Sequence, residues 1–137
     1  MEDSHIPKDP VQWVKDLESI WQAMDSEKAS QGYTDDAFMV FGCKQKQNGA
    51  EMLQRPADWF NYAKDLKINK NYIAHTNNCI VASWNSTYTD PKTKKIICER
   101  GIEYFKFRNG KVCEQHAWQH SWEEGRKPSD SGIATLR

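Results

Sequence analysis

The stretch Glu99-Arg100-Gly101-Ile102-Glu103-Tyr104-Phe105-Lys106-Phe107-Arg108 holds the clearest chemical candidate in the chain. In a strand, side chains alternate between faces, so Glu99, Gly101, Glu103, Phe105 and Phe107 share one side. Arg100, Ile102, Tyr104, Lys106 and Arg108 share the other. Lys106 and Arg108 belong in water, which makes the phenylalanine side the inner one. A carboxyl group among rings is desolvated, and desolvation disfavours its charged form. That suits Glu103 to give or take a proton near neutral pH and makes it the candidate catalytic residue. The bland alternative is an ion pair with a Lys or Arg on a neighbouring strand.

The next strand divides in the same way. Cys113, Gln115, Ala117, Gln119 and Ser121 form one set, and Val112, Glu114, His116, Trp118, His120 and Trp122 the other. His116 and His120 invite a metal reading. Four strand residues separate them by about 13 Å, too far to hold one ion together. The Cys and His spacing elsewhere does not read as a zinc site, so no metal is expected. The sequence carries no glycine-rich phosphate loop, and no cofactor is implied.

The elements that position these residues fall in a simple order. Asp9-Pro10-Val11-Gln12 starts a helix, with Asp9 as cap, Pro10 at the first position and Gln12 able to complete a capping box. Val11, Val14, Leu17, Ile20 or Trp21, and Met24 follow at helical spacing. Asp25 or Ser26 caps a short second helix that Gly32 ends. Ala37 to Gly42 reads as a buried strand and Gln45 to Gly49 as a turn. Arg55-Pro56 opens a third helix carrying Trp59, Tyr62, Ala63 and Leu66. From Asn71 the pattern is all β: Tyr72 to His75, a long strand from Cys79 to Thr89, a turn at Asp90-Pro91-Lys92-Thr93, and strands from Lys95 to Arg108 and Lys111 to Trp122, joined at Asn109-Gly110. Helices first and antiparallel strands afterward mean α+β, with three N-terminal helices packed on a strongly curved, mostly antiparallel sheet. The sequence predicts an N-terminal tail over 1–8, a single domain over 9–122 and a polar tail over 123–137.

Composition sets the outer limits. The chain has 137 residues, with 19 Lys plus Arg balanced by 19 Asp plus Glu. A formal net charge of zero gives no general pull toward nucleic acid or an anionic membrane. No apolar run approaches the roughly 20 residues that span a bilayer. The start Met1-Glu2-Asp3 lacks a signal-peptide pattern, and a cytoplasmic location is expected. Cys43, Cys79, Cys98 and Cys113 form no C-x-x-C pair, and most lie in apolar runs, where cysteine packs as a small hydrophobe. Aromatic residues make up 12%, including six Trp. That share favours a pocket or a subunit interface.

In order and spacing, "YTDDAFMVFG", "RPADWFNYAKDL" and "GIEYFKFRNGKVCEQHAW" resemble the nuclear-transport-factor-like superfamily, in its SnoaL-like and ketosteroid-isomerase-like branch. The resemblance covers residues 9 to 122 and implies a cone-shaped α+β barrel that encloses a pocket. It implies pocket aromatics at Tyr33 and Tyr62, joined by Trp59 and Phe105, and sends Gln115 and Gln119 toward the cavity to orient a polar ligand group. A β-bulge in the last strand would instead turn His116 and His120 inward. The isomerase's tyrosine and basic aspartate align with Leu17 and Phe41, which cannot do that chemistry, while its third acid aligns with Glu103. The cyclase carboxylate aligns with Ala117. The implied function is binding of a small, partly apolar molecule by an isomerase, dehydratase or cyclase that uses Glu103 as acid or base. The alternative is a non-catalytic ligand-binding or assembly module. Trp118 and Trp122, on the outer sheet face, imply a homodimer.

Overall fold

The computed structural model describes residues 3–42 and 46–126; Cys43 and most of the expected C-terminal tail lie outside the described residues. Helix α1 (Pro10–Gln22) starts as its sequence predicts, with the Asp9 carboxylate accepting from the Gln12 N–H at 3.0 Å. The reciprocal half of the capping box does not form, because the Gln12 amide turns to Asp16 instead. Helix α2 (Ser26–Gln31) is capped by Asp25, and Gly32 follows it. Strand β1 (Tyr33–Phe41), the two-residue β2 (Gln47–Asn48), helix α3 (Ala50–Tyr62) and strands β3 (Lys64–His75), β4 (Cys79–Thr89), β5 (Ile96–Arg108) and β6 (Lys111–Glu123) complete the chain.

Two boundaries differ from the sequence reading. Helix α3 begins at Ala50, five residues before Arg55, and holds Pro56 in its interior. An interior proline loses a helical hydrogen bond. Here it lies among the largest fully buried side chains, and packing overrides the local signal. Strand β3 begins at Lys64, and Leu66 belongs to it rather than to the helix. Its inward positions run Leu66, Ile68, Lys70, Tyr72. A lysine in that series breaks the apolar alternation by which a strand is recognised.

The sheet order is β2-β1-β6-β5-β4-β3, antiparallel throughout except for the parallel β1–β6 pair. Register shifts between Lys64 and Lys67, Tyr72 and Ala74, and Lys106 and Phe107 mark bulges, which bend strands and sharpen their twist. The sheet curls around the helices but does not close into a barrel. Its β3 edge is covered by side chains of α1. The Gln22 amide donates to the Leu66 carbonyl (2.8 Å) and accepts from the Ile68 N–H (2.9 Å). Glu18 accepts the Lys70 N–H at 2.7 Å, and Lys15 donates to the Lys70 carbonyl at 3.2 Å. These bonds satisfy edge groups that would otherwise need water.

Two apolar clusters bracket the interior. One gathers Val14, Met39, Met52, Ile80, Phe105, Phe107 and Val112, with Trp13 edge-on to both Phe105 and Phe107. The other gathers Trp21, Ala29, Phe60 and Leu66. Ile6 packs on the first cluster, and His5 is tied by backbone hydrogen bonds to Asn77 and Gly110. Gly101 allows a close approach, since a Cβ there would run into the Trp84 ring and the Trp118 carbonyl. The indole of Trp84 therefore lies directly on the β5 backbone. Gly101→Ala is expected to cost about 1–3 kcal/mol through overpacking, read by urea unfolding. A loss within the error of the extrapolation would mean that Trp84 yields without cost.

Candidate functional site

Between the two clusters lies a cavity of about 270 Å³. Its walls are apolar and mostly aromatic: Trp21, Phe41, Trp59, Ile68 and Trp84. Its polar groups converge from five strands and one helix. They are Gln47 from β2, Lys70 from β3, Ser86 from β4, Glu99 and Glu103 from β5, Gln115 and Gln119 from β6, and Arg55 from α3.

Glu103 is 3% exposed and lies at the centre of a hydrogen-bonded chain. Lys70 Nζ donates to its Oε2 at 2.7 Å, and Gln115 Nε2 donates to its Oε1 at 2.9 Å. The Tyr33 hydroxyl donates to Gln115 Oε1 at 2.5 Å, which fixes the amide's orientation. Lys70 comes from two strands away. In the sheet register Ala82 stands between Tyr72 and Glu103, and this small residue leaves the path over β4 clear. The ammonium also lies 5.4 Å from the ring centroids of both Trp21 and Trp84. Cation–π attraction of this kind is stronger for a desolvated ion. The ion-pair alternative for Glu103 is thus present, and it is formed inside the cavity.

Glu99 is the second buried acid, four residues before Glu103 on the same face of β5. Its hydrogen bonds come from neutral donors: Ser121 at 3.2 Å, Ser86 at 3.4 Å, and Gln119. Burial pushes its carboxyl above the usual range, and those bonds together with the nearby Arg55 charge only partly offset the shift. Burial also raises the Tyr33 phenol. Tyr88, close to Glu99, is pushed up to about 12, again chiefly by burial.

The remaining sequence candidates divide between this cavity and its surroundings. Trp59, Gln115 and Gln119 line it. Tyr33 reaches it through Gln115. Tyr62 stands outside the lining, stacked on Trp59 and near Tyr88. Phe105 is packed in the core against Trp13. The last strand does carry a bulge, but it falls at Cys113: Phe107 pairs with Val112 and Lys106 with Glu114. It therefore turns Val112 inward and leaves the later residues in their original phase. His116 lies on the outer face between Tyr104 and Trp118, and His120 lies beside Trp122. No cluster of potential metal ligands occurs among the described residues. Lys70, Arg55 and Trp84 were not candidates from sequence. Only the misplaced lysine of β3 carried a readable signal.

No family model matches the sequence, and no curated protein matches it. Solved structures do. An epoxide hydrolase/cyclase-like enzyme, SalBIII, described for pyran ring formation in the polyether salinomycin, superposes with a TM-score of 0.67 at 16% identity. The match covers 80% of this chain and 89% of that one. A Bacillus subtilis protein named as a candidate isomerase gives 0.67 at 12% identity, over 80% and 86% of the two chains. An NTF2-like protein of unknown function from Cytophaga hutchinsonii gives 0.62 at 11% identity, over 81% and 99%. The chain has the NTF2-like fold. At such identities the likeness is one of architecture, and the chemistry has to be read from the cavity.

Two predictions follow from the buried charges. Lys70→Met strands Glu103 without its cation and is expected to cost about 3–5 kcal/mol in chemical unfolding. The double variant Lys70→Met/Glu103→Leu should recover most of that loss; a double variant as unstable as the single one would contradict the pairing. For Glu99 the folded state holds its proton to higher pH than the unfolded state does. Stability should therefore fall as pH rises from the ordinary carboxylate range through the raised value. Glu99→Gln lacks that term, so its stability relative to the native protein should grow between pH 4 and pH 8. A difference that stays flat over this interval would show that burial does not hold the proton.

Proposed function

We propose that the protein binds a small, partly apolar molecule in this cavity and acts on it by proton transfer, as an isomerase, dehydratase or cyclase. The observation that carries the reading is the pair of buried carboxyl groups facing one aromatic-walled space, each with a different environment. Two acids in unlike surroundings, one against a cation and one among neutral donors, divide the work of donor and acceptor. Glu103, paired with Lys70, is the proton acceptor. Glu99, held toward its neutral form by burial, is the proton donor to a substrate oxygen. Gln115 and Gln119 orient the polar end of the substrate, with Trp59 against its apolar body. Among its structural neighbours, the SalBIII description names a ring-forming activity, in line with acid–base chemistry in this fold.

A second reading rests on the outer sheet face. Trp118 is 48% exposed and Ile102 45% exposed, and Tyr104, His116 and Trp118 form a continuous ring ladder beside them. A patch of this kind suits a second copy of the chain, giving a homodimer with Trp118 and Trp122 at its seam.

Ligand-dependent melting across a panel of small cyclic carbonyl and aromatic compounds tests the first reading. Compounds that raise the melting temperature of the native protein should fail to do so for the folded Lys70→Met/Glu103→Leu variant. For any substrate found, Glu99→Gln or Glu103→Gln should lower turnover about 10²–10⁴-fold. Turnover unchanged in both variants would refute the proton-transfer reading. For the dimer, Trp118→Arg is expected to give a monomer in sedimentation; an unchanged mass would count against that seam.

A further inference from the structure

The four charged groups around the cavity do not balance as two pairs. Lys70 and Glu103 neutralise each other at 2.7 Å. That leaves Arg55 and Glu99. Glu99 is satisfied by hydroxyl and amide donors. Among the described residues, Arg55 has no carboxylate within ion-pairing distance. Its guanidinium carbon lies 5.5 Å above the centre of the Phe41 ring. An aromatic face attracts a cation but offers its N–H groups no lone pairs. Arg55 thus brings a planar set of donors to the cavity with no carboxylate in ion-pair contact, while Glu99 and Glu103 act on it only from a distance.

We infer that the ligand is a small organic anion, a cyclic or aromatic carboxylate, whose carboxylate is held by Arg55 and whose ring lies among Trp21, Trp59 and Trp84. This names a ligand class for the cavity and rests on the reading above. Three observations support it. The guanidinium fork matches a carboxylate in two parallel hydrogen bonds. The site is lined by indole rings, which suit a flat hydrophobic body. Burial draws the Arg55 guanidinium below its usual proton affinity, with the more distant charges of Glu99 and Glu103 offsetting that only in part. A desolvated cation of this sort gains from an anion brought to it.

The test uses benzoate, benzamide and benzylamine as probes on the full chain, with affinity read by calorimetry. Benzoate should bind at least about tenfold more tightly than benzamide, a factor equal to about 1.4 kcal/mol. Benzylamine should not bind. Arg55→Gln should remove the preference for benzoate over benzamide, and Arg55→Lys should keep part of it. If benzamide binds as well as benzoate, or if Arg55→Gln leaves the preference intact, the anion assignment is wrong while a small-molecule pocket stands. If no probe binds the native protein, both the assignment and the pocket reading fall.

Discussion

A lysine and a glutamate meet inside a curled sheet, and each must answer for the other's charge. Removing either ion from water costs several kcal/mol, and the attraction between them offsets that only with good geometry. The structure supplies that geometry at length. Ala82 clears the route across β4, and Gln115, held by Tyr33, occupies the second carboxylate oxygen. Two indole rings flank the ammonium. Filling the same space with apolar side chains would serve stability at least as well.

Polarity in the cavity is graded. At Glu103 a cation stands in contact. At Glu99 the donors are neutral, and burial lifts the carboxyl above its usual range. At Arg55 the surroundings hold aromatic carbon. A small molecule inside would meet an acceptor, a donor and a cation within one aromatic enclosure. This arrangement differs from a generic greasy pocket, which would bind many compounds and react with none.

Much of this was legible in the sequence, and the exceptions have physical causes. Strand alternation in β5 put Glu99 and Glu103 on the inner face, and the Asn109-Gly110 turn fixed the hairpin, with Asn109 at φ 50° and Gly110 at φ 84°. The α+β order followed from the caps at Asp9 and Asp25. Lys70 escaped because its partner lies two strands away, a distance no local pattern encodes. Arg55 escaped because Pro56 read as a helix start; moved five residues into α3, the arginine faces the cavity instead of capping a helix. The Cys113 bulge could not be placed from sequence, because the extra residue alters the facing only of Val112 before it and leaves the alternation from Glu114 onward untouched.

The bonds that α1 makes along β3 reach past local geometry. Gln22 imitates a neighbouring strand, taking one carbonyl and one N–H as a β-ladder would. A foreign strand arriving at that margin finds those groups occupied. The sheet is thereby shielded from templating fibrils along β3, and the helix that seals the margin also grips the backbone of Lys70. Protection from misassembly and placement of the interior cation are accomplished by the same few side chains.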